Sequence, residues 1–493
     1  MPPPASSPRI CELFRRQIDA GELRPGQALP STRALAQELG VSRSTVVNVY
    51  EQLVSEGYIE TRPGARARVA PGAVVQAAKR RRPAQAAQRG APRPLSAYGQ
   101  RTAQMSLVLP SSDSADINFL YGAIAEDDFP KLLWRRLYNQ ALMQRQPALY
   151  YGPPEGSLEL RAALQDYLLR ARGLSCTQEQ IIVVQGSQQA IDLCARLLVD
   201  PGAAVLMEEP CYQRARAAFA AVGADITPIP VDEHGLVTAM LPDTRHALAY
   251  VTPSHQFPLG SVLSIGRRRE LLAWATQNRC WIIEDDYDSE FRYGLQPTQP
   301  LHALDGDGCV LYMGTFSKTL SPQLRLGYLV LPEALVPVFR QAKLLTDRHA
   351  PYPEQQVVAR FIRSGAYERH IRRVRRANEH RRTVLVDAIQ RFLPARVEVE
   401  GTASGLHIVV WLHDLPIDQE PQLMAEARKR GVGLWSITPL YAAGQRLRRH
   451  RCAGLVMGYA GLTPERIVTG VERMAQAVRA CLEQHQRGGS QQK

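Results

Sequence analysis

Four short apolar runs, each followed at once by polar residues, constrain the fold of this chain more than any other feature of its sequence. They are IIVV before Gln185, AVLM before Glu208, WII before Glu284 and CVLYMG before Thr315. Longer amphipathic stretches separate the runs, and this alternation predicts an α/β fold with a mostly parallel sheet. Ligands of open α/β sheets bind outside the carboxyl ends of the strands, so we expect the four polar tails to converge.

The polar residues after two of these runs form a chemically specific set. Asp285 and Tyr287 lie two residues apart, a spacing that directs both side chains to one side of an extended chain. Lys318 and Arg325 follow the next run, among hydroxyl-bearing residues. A carboxylate, a phenol, an amine and a guanidinium that face one space are what pyridoxal 5'-phosphate requires of a protein.

Three members of this set have predicted roles toward the ring and the aldehyde of that cofactor. Lys318 is the candidate catalytic residue, because its neutral amine would condense with the cofactor aldehyde. Asp285 would pair with the pyridine nitrogen and keep it protonated, so that the ring withdraws electrons. Tyr287 would donate a hydrogen bond to the phenolate oxygen of the ring.

The cofactor phosphate is predicted to bind a basic, hydroxyl-rich group beside a helix N-terminus. The predicted phosphate ligands are Arg325, Thr315, Ser317, Ser187 and Gln188. Taken singly, each feature has an ordinary alternative, because a lysine after a strand is usually a surface residue and an acidic turn is usually solvated. We favour the cofactor site because the features occur together at successive strand ends.

The N-terminal region has helical periodicity. A first amphipathic helix is predicted from Ile10 to Ile18, and two further helices begin after the N-caps Ser31 and Ser42. Gly40 ends the second helix and starts a short turn. Two short helices about a turn that contains glycine are the helix-turn-helix arrangement.

The first turn of the third helix carries side chains suited to base edges and phosphates in a major groove. These candidate DNA-binding residues are Arg43, Ser44, Thr45 and Asn48. The stretch YIETRPGARARVA then predicts a two-stranded wing. A three-helix protein-interaction module is the alternative, but the polar, basic first turn favours DNA binding.

The charge distribution supports a polyanionic partner for this end of the chain. The net charge is +13, and residues 1–95 contain fifteen Lys or Arg against seven Asp or Glu. No acidic residue occurs between Glu60 and Asp113. Basic charge concentrated at one end indicates a nucleic-acid partner, with a merely solvated basic tail as the alternative.

Composition divides the chain into four predicted parts. They are a DNA-binding domain at 1–72, a flexible linker rich in Pro, Ala and Arg at 73–112, a cofactor-binding α/β domain at 113–485 and a disordered tail at 486–493. The eight cysteines include no C-x-x-C pair, which argues against disulfides and structural zinc, so no metal site is predicted. Neither a signal peptide nor an apolar stretch of the roughly 18 residues that span a bilayer is present, so we expect a soluble, cytoplasmic protein.

The segment LPSTRALAQELGVSRSTVVNVYEQLVSEGYIE resembles the winged helix-turn-helix of the GntR superfamily. This resemblance implies that Arg33 and the turn from Ser42 to Thr45 contact double-stranded operator DNA, and that Gly64 forms the wing tip. The sequence PGARARV departs from the usual small, glycine-rich tip, although Arg66 could substitute with a phosphate contact.

From about Asp113 to residue 480 the chain is similar to fold-type I aminotransferases, which have a large, mostly parallel sheet domain and a smaller α+β C-terminal domain. The stretches TPSHQFPLG, IIEDDYDSEF and GTFSKTLSPQLRLGY resemble the MocR family, also called GabR-like, in which a GntR-type domain is joined to an aminotransferase-like domain. The resemblance implies pyridoxal phosphate as cofactor, Tyr212 beside its ring, and Tyr151 at the phosphate of the partner subunit. It further implies a homodimer in which each DNA-binding domain is swapped over the other subunit.

Two departures from the aminotransferase pattern bear on function. Phe257–Gly260 replaces the usual Asn-Pro-Thr-Gly, so the asparagine contact with the ring oxygen is lost or is supplied by His255 or Gln256. The late strand around Val456 lacks the arginine that binds a substrate carboxylate in aminotransferases, although an arginine cluster at 446–449 lies nearby.

Three hypotheses therefore stay open. The favoured one is a transcriptional regulator that senses pyridoxal phosphate, an amino-acid or amine effector, or both. The second is an active aminotransferase with an appended DNA-binding arm. The third is a regulator that senses pyridoxal phosphate alone.

Overall fold

The computed structural model describes residues 6–73, 94–105, 115–144, 150–294, 298–393, 396–442 and 451–490, with side chains described as far as residue 484. The chain divides into two compact units, residues 1–94 and 95–493. The domain boundaries that the sequence predicts at 72 and 112 stay predictions, because most of residues 73–112 lie outside the described ranges.

Helices and a short hairpin form the first unit: α1 (Ser7–Asp19), α2 (Thr32–Leu39), α3 (Arg43–Ser55), β1 (Ile59–Glu60) and β2 (Arg68–Val69). The hydroxyl of Ser31 caps α2 by accepting from the backbone N–H of Ala34 over 3.2 Å, and Ser42 caps α3 in the same way through Thr45 over 3.1 Å. Gly40 ends α2 with a φ of +64°. The predicted helices, their caps and the wing are therefore confirmed.

The second unit contains longer helices and more strands. Its helices are α4 (Ala97–Ala103), α5 (Lys131–Leu142), α6 (Leu158–Arg172), α7 (Ser187–Leu198), α8 (Gln213–Val222), α9 (Ile265–Asn278), α10 (Val336–Thr346), α11 (Tyr352–Arg363), α12 (Ala366–Phe392), α13 (Glu420–Lys429) and α14 (Pro464–Ser490). Its strands are β3 (Ile117–Asn118), β4 (Ile181–Val184), β5 (Ala204–Glu209), β6 (Asp225–Asp232), β7 (Gly235–Leu236), β8 (Leu248–Val251), β9 (Trp281–Asp286), β10 (Val310–Thr315), β11 (Gly327–Val330), β12 (Val397–Glu400), β13 (His407–Pro416), β14 (Val432–Gly433) and β15 (Cys452–Gly458). The four apolar runs of the sequence are strands β4, β5, β9 and β10.

Within the described residues, an eight-stranded sheet with the order β4-β11-β10-β9-β8-β5-β6-β7 forms the centre of this unit. Strands β10, β9, β8, β5 and β6 pair in parallel, whereas β11 is antiparallel to both neighbours. Alternate residues of β4 pack on opposite faces, Ile181 and Val183 against α6 and α11, and Ile182 and Val184 against α7. The predicted mostly parallel sheet is confirmed, and helices on both faces explain why its strands are apolar throughout.

A smaller antiparallel sheet, β12-β13-β15, follows in the C-terminal part of the chain. Its core joins Leu385 of α12, Leu423 of α13 and Val471 of α14 to the inner faces of β13 and β15. This is the smaller α+β region that the resemblance to fold-type I aminotransferases implies.

Two segments differ from the sequence prediction. The predicted extended linker contains helix α4, whose Arg101 donates from Nε to the carbonyl oxygen of Ala221 near the end of α8 over 2.8 Å. The predicted disordered tail is helical as far as Ser490, because α14 continues past residue 486. No helix of the described residues, α14 included, is both long and apolar enough to cross a membrane.

Candidate functional site

Residues that follow β4, β5, β9 and β10 line one cavity of about 930 Å³ in the second unit. The polar tails that the sequence predicts to converge do meet at this edge of the sheet. Eight of the predicted cofactor residues line the cavity: Lys318, Asp285, Tyr287, Arg325, Ser187, Tyr212, Thr315 and Ser317.

Lys318 lies in the turn after β10 with its side chain partly buried. Its Nζ donates a hydrogen bond to the carbonyl oxygen of Gly122 over 3.3 Å. A Cβ at position 122 would lie 2.6 Å from that nitrogen, so a larger residue there would force the amine to move from this position. Removal from water lowers the pKa of Lys318, although Asp288 and Asp285 oppose this effect. A lowered pKa favours the neutral, nucleophilic amine.

Asp285 lies at the end of β9 and is buried. Tyr250 of β8 donates a hydrogen bond to its Oδ2 over 2.5 Å, while Oδ1 is buried without a partner among the described residues. Burial raises the pKa of Asp285 to about 7, with the hydrogen bond from Tyr250 opposing it. A cation at Oδ1 would return this carboxyl to its ionised form.

These two groups fit pyridoxal phosphate. A buried carboxyl oxygen without a partner needs a donor, and a protonated pyridine nitrogen is such a donor. The same cavity holds the partly buried amine of Lys318, which the cofactor aldehyde requires. The chemistry of the residues therefore suits the group that the sequence predicts.

A second part of the cavity is suited to a phosphate. Arg325 donates from Nη2 to the carbonyl oxygen of Gln185 over 3.1 Å, and a Cβ on Gly186 would lie 2.7 Å from that Nη2. The guanidinium thus lies against the N-terminus of α7, which begins at Ser187. Helix N-terminal N–H groups beside a guanidinium form an anion site.

The hydroxyls after β10 complete this part of the cavity. Thr315 is buried and accepts a hydrogen bond from the backbone N–H of Ser317 over 3.1 Å. This contact orders the turn that leads to Lys318. The two hydroxyls and Arg325 line the same cavity, as the phosphate prediction requires.

Phe257 occupies the position where aminotransferases have asparagine, and its ring lines the cavity. The centroid of Phe257 lies 5.9 Å from Tyr212 and 6.1 Å from Tyr287, both in edge-on geometry. Gln256 does not replace the asparagine, because its Nε2 donates to the carbonyl oxygens of Pro210 and Phe257 over 2.7 Å each. His255 does not line the cavity and reaches it through Tyr287, whose hydroxyl lies 2.9 Å from Nδ1.

Two predicted cofactor residues do not line the cavity. The amide of Gln188 donates to the carbonyl oxygen of Arg214 over 3.5 Å, so this side chain supports the start of α8. Tyr151 is 60% exposed, and the guanidinium of Arg348 lies 3.8 Å from its ring centroid. Its predicted contact with the phosphate of a partner subunit stays a prediction.

Sequence reasoning missed Tyr250 and Arg214. Arg214 lines the cavity, and its guanidinium has no hydrogen bond or ion pair with another described residue. Its position two residues after Tyr212 is a signal that the sequence offered, because both follow the same strand end. Tyr250 lies inside an apolar strand and gave no such signal.

The late strand contains no arginine that faces the cavity. Val456 of β15 is fully buried and packs in a cluster with Trp411 and Ile437. The arginine cluster at 446–449 lies outside the described residues. Among cavity-lining residues other than Arg325, Arg214 is therefore the guanidinium that an acidic ligand group would meet.

The candidate DNA-binding residues of α3 lie on an exposed surface. Arg43, Ser44 and Asn48 are exposed, and Thr45 is partly exposed. Arg43 has no hydrogen bond or ion pair with another described residue, so its guanidinium is available to a ligand. The hydroxyl of Ser42 contacts those of Ser44 and Thr45 over 2.8 and 2.7 Å, so capping of α3 engages Ser42.

The other predicted DNA contacts lie on α2 and in the wing. Arg33 is exposed on the first turn of α2, and Gly64 lies between β1 and β2 with a φ of +75°. Arg66 is also exposed beside Gly64. The guanidinium of Arg68 instead donates to the carbonyl oxygen of Gly26 over 2.8 Å and holds the hairpin against the preceding loop.

Both units match protein families. Residues 7–69 match the family described as bacterial regulatory proteins, gntR family, and residues 127–461 match aminotransferase class I and II. The second match covers more than half of the chain. The prediction of a GntR-type domain joined to an aminotransferase-type domain is confirmed.

Relatives that align with most of this chain are regulators by name. The chain is 35% identical to the probable rhizopine catabolism regulatory protein MocR of Rhizobium meliloti, over 95% of this chain and 93% of that protein. It is 34% identical to the pyridoxine biosynthesis transcriptional regulator PdxR of Corynebacterium glutamicum, over 84% and 85%. Among solved structures, the α-aminoadipate aminotransferase LysN of Thermus thermophilus, in complex with N-(5'-phosphopyridoxyl)-L-leucine, is 28% identical with a TM-score of 0.71, over 79% of this chain and 98% of that chain.

Proposed function

Because the chain belongs to the aminotransferase class I and II family, and over nearly its whole length to the family of HTH-type transcriptional regulators that contains MocR, we propose that it is a regulator that binds pyridoxal phosphate. The N-terminal unit binds operator DNA through the first turn of α3. The second unit holds the cofactor and responds to it, to an amino compound, or to both.

One observation carries the cofactor part of this proposal. The unpartnered, buried Oδ1 of Asp285 and the amine of Lys318, whose pKa burial lowers, line the same cavity. When bound, pyridoxal phosphate supplies an aldehyde and an electron-withdrawing ring. Lys318 holds the aldehyde carbon, Asp285 holds the ring nitrogen, and Arg325 with the N-terminus of α7 holds the phosphate.

The cavity favours sensing over efficient transamination. An α-carboxylate is bound best by a bidentate guanidinium, and β15 supplies none. Arg214 provides one guanidinium for an acidic effector group at the wall beside Tyr212. The PdxR relative is named as a regulator of pyridoxine biosynthesis. This name supports the alternative in which the protein senses pyridoxal phosphate alone.

We further propose that the protein acts as a cytoplasmic homodimer. Large apolar side chains of the second unit are strongly exposed, among them Met143, Leu345 and Leu132 at 85%, 87% and 76%. Burial of these side chains against a second copy would remove apolar surface from water, which supports a dimer. A dimer also suits operators with two half-sites.

Borohydride reduction of the full-length protein incubated with pyridoxal phosphate tests the proposal. The expected result is a pyridoxyl adduct on the peptide that contains Lys318. Lys343 is the matched internal control, because it is a buried lysine with a lowered pKa that lies outside the cavity. The cofactor assignment would be overturned if Lys318 carried no adduct, or if Lys343 carried as much adduct as Lys318.

Turnover experiments separate the alternatives. The protein is mixed with amino acids and a keto-acid acceptor, and product is counted per protein chain. We expect no more than one turnover. Repeated turnovers would establish the aminotransferase, and operator binding that responds to the cofactor but to no amino compound would establish the cofactor sensor.

A further inference from the structure

A buried histidine connects a carboxylate to the phenol of the cofactor cavity. Nδ1 of His255 lies 2.9 Å from the hydroxyl of Tyr287 and 3.0 Å from each carboxyl oxygen of Asp288. His255 and Asp288 are 2% and 1% exposed at the residue level. Tyr287 lines the cavity and His255 does not, so the imidazole of His255 lies behind the phenol of Tyr287.

The chain conformation around His255 leaves room for an imidazole ring. A Cβ on Gly405 would lie 2.0 Å from Cε1 of His255, and one on Gly260 would lie 3.1 Å from Nε2. Both glycines also have positive φ values, +87° and +80°. Two glycines from different parts of the fold thus form the space that the ring fills.

The surroundings of His255 fix where its proton lies. A lone pair on Nδ1 would face the carboxylate of Asp288 and would leave the proton on Nε2, which is buried without a partner among the described residues. The proton therefore lies on Nδ1, where it is donated to Asp288 and also faces the oxygen of Tyr287. That oxygen then accepts, so the phenol proton of Tyr287 points elsewhere.

The open direction for this proton is the cavity, because Tyr287 has no other hydrogen-bond partner among the described residues. We propose that His255, held by Asp288, is a positioning residue that directs the hydroxyl proton of Tyr287 toward the ring oxygen of the bound cofactor. This inference rests on the proposed cofactor site. It gives a physical reason why Phe257 can stand where aminotransferases have an asparagine donor: the remaining donor is held in one orientation.

Other titratable groups face this pair from the neighbouring elements. Asp285 is on β9, Lys318 follows β10, His407 is on β13 and Glu208 is on β5. Burial lowers the pKa of His407 to about 3, so it stays neutral, and its Nε2 contacts the carbonyl oxygen of Pro258 over 3.0 Å. Glu208 accepts hydrogen bonds from the backbone N–H and the hydroxyl of Thr252. Among the described residues, only Asp288 and Tyr287 lie within hydrogen-bond distance of His255.

The pH midpoint of the visible absorbance band of the bound cofactor tests the proposal in the full-length protein. A donor to the ring oxygen favours its anionic form, so loss of the donor raises the midpoint. We expect His255→Leu to raise the midpoint by about one pH unit. His255→Asn, whose amide N–H replaces that of Nδ1, should stay near the wild-type value.

A double variant shows whether His255 acts through Tyr287. Tyr287→Phe should raise the midpoint, and His255→Leu added to it should cause no further shift. The proposal would be overturned if His255→Leu left the midpoint unchanged. It would also be overturned if His255→Leu shifted the midpoint of the Tyr287→Phe variant as much as that of the wild type. If His255→Leu does not fold, His255→Met serves in its place, because it also removes the Nδ1–H donor; an upward shift is expected and the absence of a shift would contradict the proposal. A wild-type protein without a visible band would overturn this inference and the cofactor assignment together, whereas a band with unmoved midpoints overturns this inference alone.

Discussion

The hydroxyl of Tyr250 donates to Oδ2 of Asp285 over 2.5 Å and leaves Oδ1 of the same carboxyl buried without a partner among the described residues. One oxygen is thus fixed by the protein and the other is left able to accept a hydrogen bond. The two residues lie on adjacent parallel strands, since β8 pairs with β9 in a register that places Tyr250 beside Ile283. The strand order therefore positions the carboxyl of the proposed ring-binding site.

Tyr250→Phe should weaken the binding of pyridoxal phosphate. The hydrogen bond lowers the pKa of Asp285, so its loss favours the protonated carboxyl, which pairs poorly with a protonated ring. We expect the dissociation constant to rise by about 3- to 10-fold, the effect of one such bond. Titration of the apoprotein with the cofactor, followed by absorbance, measures it. Tyr167→Phe is the control, because it loses a hydrogen bond to Glu290 outside the cavity, and an equal loss of affinity in both variants would refute the assignment.

The stability of the apoprotein should depend on pH through Asp285. Its pKa is about 7 in the folded protein against an ordinary value of 3.8, so the folded state keeps a proton that the unfolded chain releases. The resulting stabilisation is fully present below about pH 3.8 and is lost as the pH rises to about 7. In urea unfolding, the free energy of unfolding of the wild-type apoprotein should fall with rising pH more steeply than that of Asp285→Asn. The two slopes should differ by on the order of 1 kcal/mol per pH unit.

Other buried carboxyls titrate in the same range and must be separated from this effect. Burial raises the pKa values of Glu208, Glu284 and Glu290 to about 7 as well. They are present in both proteins, so the difference between wild type and Asp285→Asn reports Asp285 together with its electrostatic effect on Glu208. Parallel pH profiles would show that Asp285 is ionised in the apoprotein.

Gly122→Ala should lower the yield of the adduct at Lys318 while the protein still folds. The new Cβ would lie 2.6 Å from Nζ and force the amine out of its present position. Gly173→Ala is the matched control, because its φ is also positive, at +63°, but nothing lies within 4 Å of the new Cβ. Both variants should lose about 1–2 kcal/mol of stability from backbone strain. Borohydride labelling should fall only in Gly122→Ala, and labelling at the wild-type level there would disprove the steric argument.

Arg43→Ala should weaken operator binding about tenfold or more without changing cofactor affinity. Its side chain is exposed at the start of α3 and has no partner among the described residues. Arg9→Ala removes the same charge from an exposed position on α1 and is the control. Mobility shifts at fixed salt measure the effect. Equal losses in the two variants would indicate a nonspecific charge effect and would refute the placement of the recognition helix.

Much of the site was predictable because it depends on spacing within single elements. Asp285 and Tyr287 reach the cavity together because alternate residues of an extended chain share a side, and both residues line it. Gln188 stays a prediction: its side chain does not line the cavity, but it lies in the first turn of α7, the helix N-terminus on which the phosphate prediction depends. The linker prediction failed at α4 because the contact of Arg101 with Ala221 joins residues far apart in the sequence.

The sequence by itself determined the two-domain organisation, the parallel sheet and the lysine, aspartate, tyrosine and arginine of the site, because apolar periodicity and the polar residues at strand ends are local signals. Only the tertiary structure decided that Tyr250 holds Asp285, that Gly122 makes room for Lys318 and that His255 lies behind Tyr287. Each of these contacts joins two different elements. Strand order and burial bring the two elements of each contact together. The spacing of residues along the chain predicts neither the strand order nor the burial.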